Sequence, residues 1–351
     1  MTTLDKRALN RALLERQLLL RRAPRGVEDA LEHLVGLQAQ APLAPYVALW
    51  SRLRDFDPAE LSAALEQRRA VRTTLMRVTI HLVTARDALA LRPLVQPVAE
   101  QVFRTSQFHR AVDGVDLDEI LRRARALVEE RPRTRVELGA ALGEHFTDRD
   151  PGSLAYAFTF LAPLVHVPPR GVWGTTGPVA LTTVQSWVGG DLADVADPDA
   201  AVLRYLAAFG PATVADVAKW SRVTGLRAVV ERLRPRLRTF RDEAGRELFD
   251  VPGAPLPDPD TPAPPRFLPE FDNVLLSHAD RTRIIPADSP RLPLPAGNGA
   301  RTGTFLVDGF LRGTWRFADG DVRTEPFTPL RRREAAALTA EAERLRTFLV
   351  A

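Results

Sequence analysis

The sequence predicts an α+β protein made of tandem winged helix-turn-helix motifs, followed by a C-terminal β-rich element and a closing helix. Three observations predict it. Residues 113–192 and 196–255 each read as three helical stretches followed by a hairpin. A proline-rich linker, VPGAPLPDPDTPAPPR, separates them from a stretch of different composition. That stretch reads as two or three strands and then a helix from about Pro329 to Leu349.

Residues 1–112 form the N-terminal region. MTTLDKRALNRALLERQLLL interleaves Asp5, Lys6, Arg7, Arg11, Glu15 and Arg16 with apolar positions, the pattern of an amphipathic helix. A second helical stretch follows, then ALWSRLRDF and PAELSAALEQ. Asp57-Pro58 has the form of a helix start, with proline at the first helical position. VRTTLMRV and TIHLVTA read as strands. A coarse third copy of the winged motif can be laid over residues 27–85, with these strands as its wing and no clear turn residue between them.

In residues 113–192, DLDEILRRARALVEE sets Leu117, Ile120, Leu121, Ala124 and Leu127 along one stripe of a helix. TRVELGAALGEHF and DPGSLAYAFTFLAPL supply two more helices. VHVPPRGVWG reads as a strand, a Pro-Gly turn and a return strand. In residues 196–255, DAAVLRYLAAFG ends at Gly210, TVADVAKWSRV starts behind a Thr213 cap, and GLRAVVERLRPRL follows after a short turn. The hairpin LRTFRDEAGRELFDV turns at Glu243-Ala244-Gly245. Residues 265–351 hold the β-rich region, with a tight Asp319-Gly320 turn, and the final helix.

Composition narrows the chemistry. The 351 residues are 45% apolar and 26% charged, as in a soluble globular protein long enough for several cores. The N-terminal helix lacks the apolar core of a signal peptide, and no run approaches the roughly 18 apolar residues of a membrane span. A cytoplasmic location and no membrane partner are expected. The chain has no cysteine, which removes disulfides, thiolate metal sites and cysteine nucleophiles. Its six histidines are scattered, so neither a metal nor another cofactor is expected. Lysine occurs at Lys6 and Lys219 alone, and the other 46 basic residues are arginine. Guanidinium forks suit bidentate phosphate contacts, and a pI near 10.0 permits nucleic-acid binding.

The stretch LVGLQAQAP places Gln38 and Gln40 one residue apart among apolar neighbours. If residues 27–37 are helical and the helix ran on, the two amides would lie about 200° apart and could share no task. Pro42 pushes Ala41 out of the helical region, and Gly36 makes an early exit easier. On an extended segment, residues two apart project to the same side. Gln38 and Gln40 would then present two amides together, with Ala39 turned to the core. Such a pair can hold one water or grip one sugar or base; a cap or surface feature is the plainer alternative.

LVGLQAQ, followed in order by VRTTLMRVTIHLVTARD, GPATVADVAKWS, LPEFDNVLLSHADRTRII and LVDGFLRGTWR, resembles the AlkZ/YcaQ family of winged-helix DNA glycosylases over nearly the whole chain. The resemblance implies a protein that binds double-stranded DNA carrying alkylated purines and releases them, N7-alkylguanines and interstrand crosslinks included. The family's catalytic motif is Gln, a hydrophobic residue, then Gln or Asp. Gln38, Ala39 and Gln40 match the Gln-ending form, whose branch looks tied to self-resistance against DNA-alkylating natural products. An N7-alkylguanine is already cationic, so it leaves as a neutral base without an acid. The enzyme has only to orient water and stabilise a cation-like sugar with dipoles. Two amide oxygens suffice for that and would serve poorly on an undamaged purine.

Arg72, Arg77 and His81 lie in the strand-like region after the glutamines, where a wing could touch phosphates or the lesion. Arg170 at the tip of the PPRG turn and Arg241 beside the later hairpin turn are further phosphate candidates. Trp173, Trp187, Trp220 and Trp315 read as core. A glycosylase that also nicks the strand needs an amine nucleophile. Only Lys6, Lys219 and the N-terminus could serve, and neither lysine lies near the glutamines in sequence, so plain hydrolysis is expected. A rival from another class is a non-catalytic DNA-binding regulator with the same winged helices. A regulator would read paired half-sites as a dimer, whereas a repair enzyme is expected to act as a monomer.

Overall fold

The computed structural model describes residues 2–290 and 302–350. The chain is an α+β protein that divides into two compact units. One comprises Met1–Phe56, Asp199–Trp220 and Gly225–Ala351, the other Asp57–Pro198 and Ser221–Thr224. Compactness thus groups the chain differently from the four segments above, which count repeated motifs.

The unit built on residues 57–198 shows how local sequence sets each boundary. Helix Pro58–Glu66 starts where Asp57 accepts from the Ala59 amide at 2.8 Å, with Pro58 at its first position. Helix Leu117–Glu130 is capped by Asp116 and buries Ile120, Ala124 and Val128. Helix Arg135–Gly143 opens with a reciprocal Thr134–Glu137 capping box, and helix Pro151–Leu161 with an Asp150 cap. These helices pack Ile120, Leu138, Leu154 and Phe158 into one apolar core. The strands run antiparallel in the order Ile80–Thr84, Ala70–Thr74, Leu164–His166, Ala180–Thr183, Arg133–Thr134. Pairing of the short strand Arg133–Thr134 with the outer wing strand completes the helix–strand–helix–helix–hairpin order of a winged helix.

The return strand of this wing is Ala180–Thr183, not the residues directly after the PPRG turn. Successive turns from Pro168 to Gly174 carry the chain away before it can pair. Residues 85–104, with Pro93 and Pro97 inside, form a single helix that the sequence reading did not assign. Leu91, Val95, Ala99 and Phe103 bury at successive fourth positions along it. The carbonyl of Leu89, which a non-proline residue at 93 would have bonded, instead accepts from the Ala193 amide at 3.2 Å. A continuous buried stripe outweighs two missing backbone donors.

In the other unit, helix Lys6–Arg16 carries its apolar stripe as expected, but Arg11 and Arg16 are buried as well. Arg16 forms a fork onto Asp250 at 2.6 and 2.8 Å, with both side chains at most 1% exposed. A Cβ on Gly210 would sit 2.8 Å from that guanidinium, so only glycine fits beside the pair. Helices Pro198–Phe209, Val214–Ser221 and Leu226–Leu233 precede the wing strands Arg238–Asp242 and Glu247–Asp250. Thr213 and Asp216 cap each other at the second helix, and Ala212 bridges Phe249 as the first short strand of this winged helix. Thr3–Leu4 adds a parallel edge strand to the wing, too short to show in the sequence pattern.

Among the described residues the C-terminal sheet has four antiparallel strands: Thr302–Val307, Phe310–Ala318 and Asp321–Pro326, three strands within GTFLVDGFLRGTWRFADGDVRTEPF, and Arg266–Pro269, which the sequence did not suggest. Asp308-Gly309 and Asp319-Gly320 make its turns, all four residues with positive φ. Helix Arg332–Val350 closes the chain, and its Phe348 stacks on Trp50 with centroids 5.8 Å apart.

Candidate active site

Helix Val27–His33 ends earlier than residue 37. Leu34 caps it, and Val35 (φ 54°) and Gly36 (φ 84°) then adopt left-handed backbone. Glycine does so freely; a β-branched valine does so at a cost of about 1–3 kcal/mol, the kind of strain that surrounding structure must hold in place. The chain leaves this turn extended, with Leu37–Gln38 as a short strand. Ala39 is fully buried, Gln38 is 7% exposed, and Gln40 is exposed. Leu37 and Gln38 are extended and Ala39 is buried, whereas Gln40 lies in the bend that leads into the next helix. Helix Ala44–Arg52 follows. Asn273, itself buried, donates from its amide to the Gly36 carbonyl at 2.8 Å.

Arg72, Arg77 and His81 belong to the other unit, on the hairpin Ala70–Thr74 and Ile80–Thr84. The turn missing from the sequence reading is a tight helical turn, Met76–Val78, in which Arg77 and Val78 both take left-handed backbone without a glycine. His81 is fully buried, and its Nδ1 lies 2.9 Å from the Thr79 carbonyl. Nδ1 therefore carries the proton and donates, which leaves Nε2 bare to accept from Arg77 Nη2 at 3.4 Å. Burial, and then the Arg77 charge, push the imidazole down to about 3, so it stays neutral at ordinary pH. Burial lowers Arg77 itself to about 10, still cationic.

Arg72 is buried, unlike the expected surface contact. Its Nη1 donates to the Arg170 carbonyl at 3.3 Å, and its side chain lies against Gly171, where a Cβ would come within 2.9 Å of Cδ. His166 stands opposite Arg72 in the sheet. Burial and then the charges of Arg72, Arg170 and Arg135 push it down to about 3. Sequence reasoning missed His166, because only strand register reveals the pairing. Arg170 is half-buried and donates to the Gly177 carbonyl at 3.1 Å. Arg241 is exposed on the later wing, beside Gly245. The hairpin therefore brings Arg77 and His81 together, and a loop brings Arg72 to Arg170, with Arg241 on a separate element.

Lys6 and Lys219 are exposed on helices, and the N-terminal amine lies outside the described residues. Trp220 and Trp315 are core as expected, whereas Trp173 and Trp187 are half-buried, with the Arg68 guanidinium 4.2 Å over the Trp187 ring. Among the described residues no group of three or more His, Asp or Glu is placed to hold a metal ion, and no helix is long and apolar enough to cross a membrane.

Repeated winged helix-turn-helix motifs with arginine-bearing wings define a DNA-acting winged-helix protein. The family model for AlkZ-like DNA glycosylases matches residues 31–348, and the chain belongs to that family: it is a DNA glycosylase. Non-catalytic regulation is thereby set aside. Among solved structures, Streptomyces sahachiroi DNA glycosylase AlkZ is similar with a TM-score of 0.76 and 21% identity, over 99% of this chain and 97% of that one. At that identity the likeness establishes the fold. No curated protein matches.

Proposed function

We propose that this DNA glycosylase is monofunctional and hydrolyses bulky or crosslinking N7-alkylguanine adducts, with Gln38 and Gln40 as its catalytic pair. The observation that carries the reading is a pair of neutral amides two residues apart where the chain leaves a helix, Gln38 buried at the end of a short strand and Gln40 exposed in the bend after it. Water attacks the sugar at C1′, the bond to N9 breaks, and its electron pair neutralises the cationic base. The water's proton passes to solvent. No group has to protonate the leaving base, so amide dipoles that hold water and face the sugar cation are sufficient. Self-resistance to a DNA-alkylating natural product is the role this chemistry suits, in a monomeric, cytoplasmic enzyme. The test is to incubate the protein with a duplex carrying one N7-alkylguanine and cleave abasic sites with alkali. Strand breaks at the lesion are expected, and none at undamaged purines.

Both lysines are exposed on helices, apart in sequence from the glutamines. Borohydride should therefore trap no covalent protein–DNA species, and the product should be an intact abasic strand. A trapped adduct at Lys219, Lys6 or the N-terminus would overturn the hydrolytic reading.

The arginines make a further prediction. Arg170 and Arg241 reach solvent, and Arg170→Ala or Arg241→Ala should each flatten the salt dependence of DNA binding by about one unit. Arg72 is buried under the Arg170 loop, so Arg72→Ala should act through that loop and leave no additional change once Arg170 is gone. A strong preference for a site of two symmetric halves would contradict lesion-directed binding.

A further inference from the structure

We infer that Asp272 and Asn273 are positioning residues for the Gln38–Gln40 segment, holding it from both flanks. The inference rests on the proposed role of the two glutamines. On the upstream side, Asn273 Nδ2 donates to the Gly36 carbonyl at 2.8 Å, at the turn where Val35 and Gly36 leave the helix. On the downstream side, Asp272 takes a two-bond fork from Arg52, the last residue of the helix that follows the segment, at 2.8 and 2.9 Å. Both partners of that pair are wholly buried. The same carboxylate accepts from the Val274 amide at 3.1 Å, which fixes the short turn carrying Asn273. Ser51, beside Arg52, also donates to the Phe267 carbonyl on the adjoining strand. Two consecutive residues thus tie the turn that enters the amide segment to the far end of the helix that follows it.

Asn273 is 2% exposed, and its Oδ1 has no partner among the described residues. The one bond its amide nitrogen makes goes to a backbone carbonyl at a strained turn. That bond restrains Gly36, two residues before Gln38. A loss of such restraint shifts the amides relative to the sugar, and misplacement of about 1 Å from outside the chemistry can cost about 100-fold in rate.

The experiment is a double-mutant cycle in single turnover on a duplex carrying a nitrogen-mustard monoadduct at guanine N7. Asn273→Ala should slow excision about 10- to 100-fold at full amplitude, with DNA affinity unchanged. In a Gln38→Ala background the same substitution should slow it less than about threefold further, because it acts through that segment. A purely structural role would instead reduce the amplitude, the fraction of active protein, and leave the rate constant alone; that result overturns the inference. Full multiplication of the two losses overturns it too, as does a normal rate for Asn273→Ala beside a slow Gln38→Ala. Wild-type rates for Gln38→Ala would remove the glutamines from the chemistry and the inference with them. Asn273→Ser, measured the same way, serves if the alanine variant does not fold.

Discussion

Gln38→Ala and Gln40→Ala should each lower the single-turnover excision rate by about 10- to 1000-fold, the range for losing one positioned polar group. That corresponds to about 1.4–4 kcal/mol of transition-state stabilisation. DNA affinity should change little, since phosphate contacts dominate affinity and neither amide carries charge. The two variants differ in a way that separates chemistry from folding. Gln40 is exposed, so its truncation should leave stability within about 0.5 kcal/mol of wild type. Gln38 is buried, so its truncation can also soften the segment, and its rate has to be read beside its melting temperature. A normal rate in the double variant would exclude both amides.

Much of this arrangement was legible because it depends on local rules. Asp57-Pro58 and Thr213 mark helix starts by side-chain chemistry alone, and each is a cap in the structure. Pro42 and Gly36 likewise predicted that the glutamines leave the helical path, and Leu37–Gln38 is extended. What escaped was set at a distance. Helix 85–104 survives two prolines because of packing and a borrowed Ala193 amide. Arg72 looks like any wing arginine in sequence, yet it is buried beneath a loop 98 residues away. Asp272 and Asn273 stand within LPEFDN, where nothing local reveals that they hold Arg52 and Gly36.

Gln40→Asp should change which lesions are removed. Gln40 cannot ionise, so the wild type offers the sugar cation dipoles and no full negative charge. A substrate whose base is already cationic does not need more. A simple methylated purine with less activation does, and the introduced carboxylate should preserve or raise activity on it, while a bulky adduct fits less well. The pH profiles should separate the two proteins. His81 is held neutral by burial and by Arg77, down at about 3, so the wild-type rate should show no step near the usual histidine value of about 6.5. It should also be flat through about pH 4 to 6, where carboxyl groups titrate. The variant works through an ionised Asp, so its rate should fall as pH drops through that carboxyl's pKa and protonation removes the charge. A wild-type rate that falls in the same range, with folding and DNA binding intact, would reveal an acidic catalyst and remove the two glutamines from their assigned role.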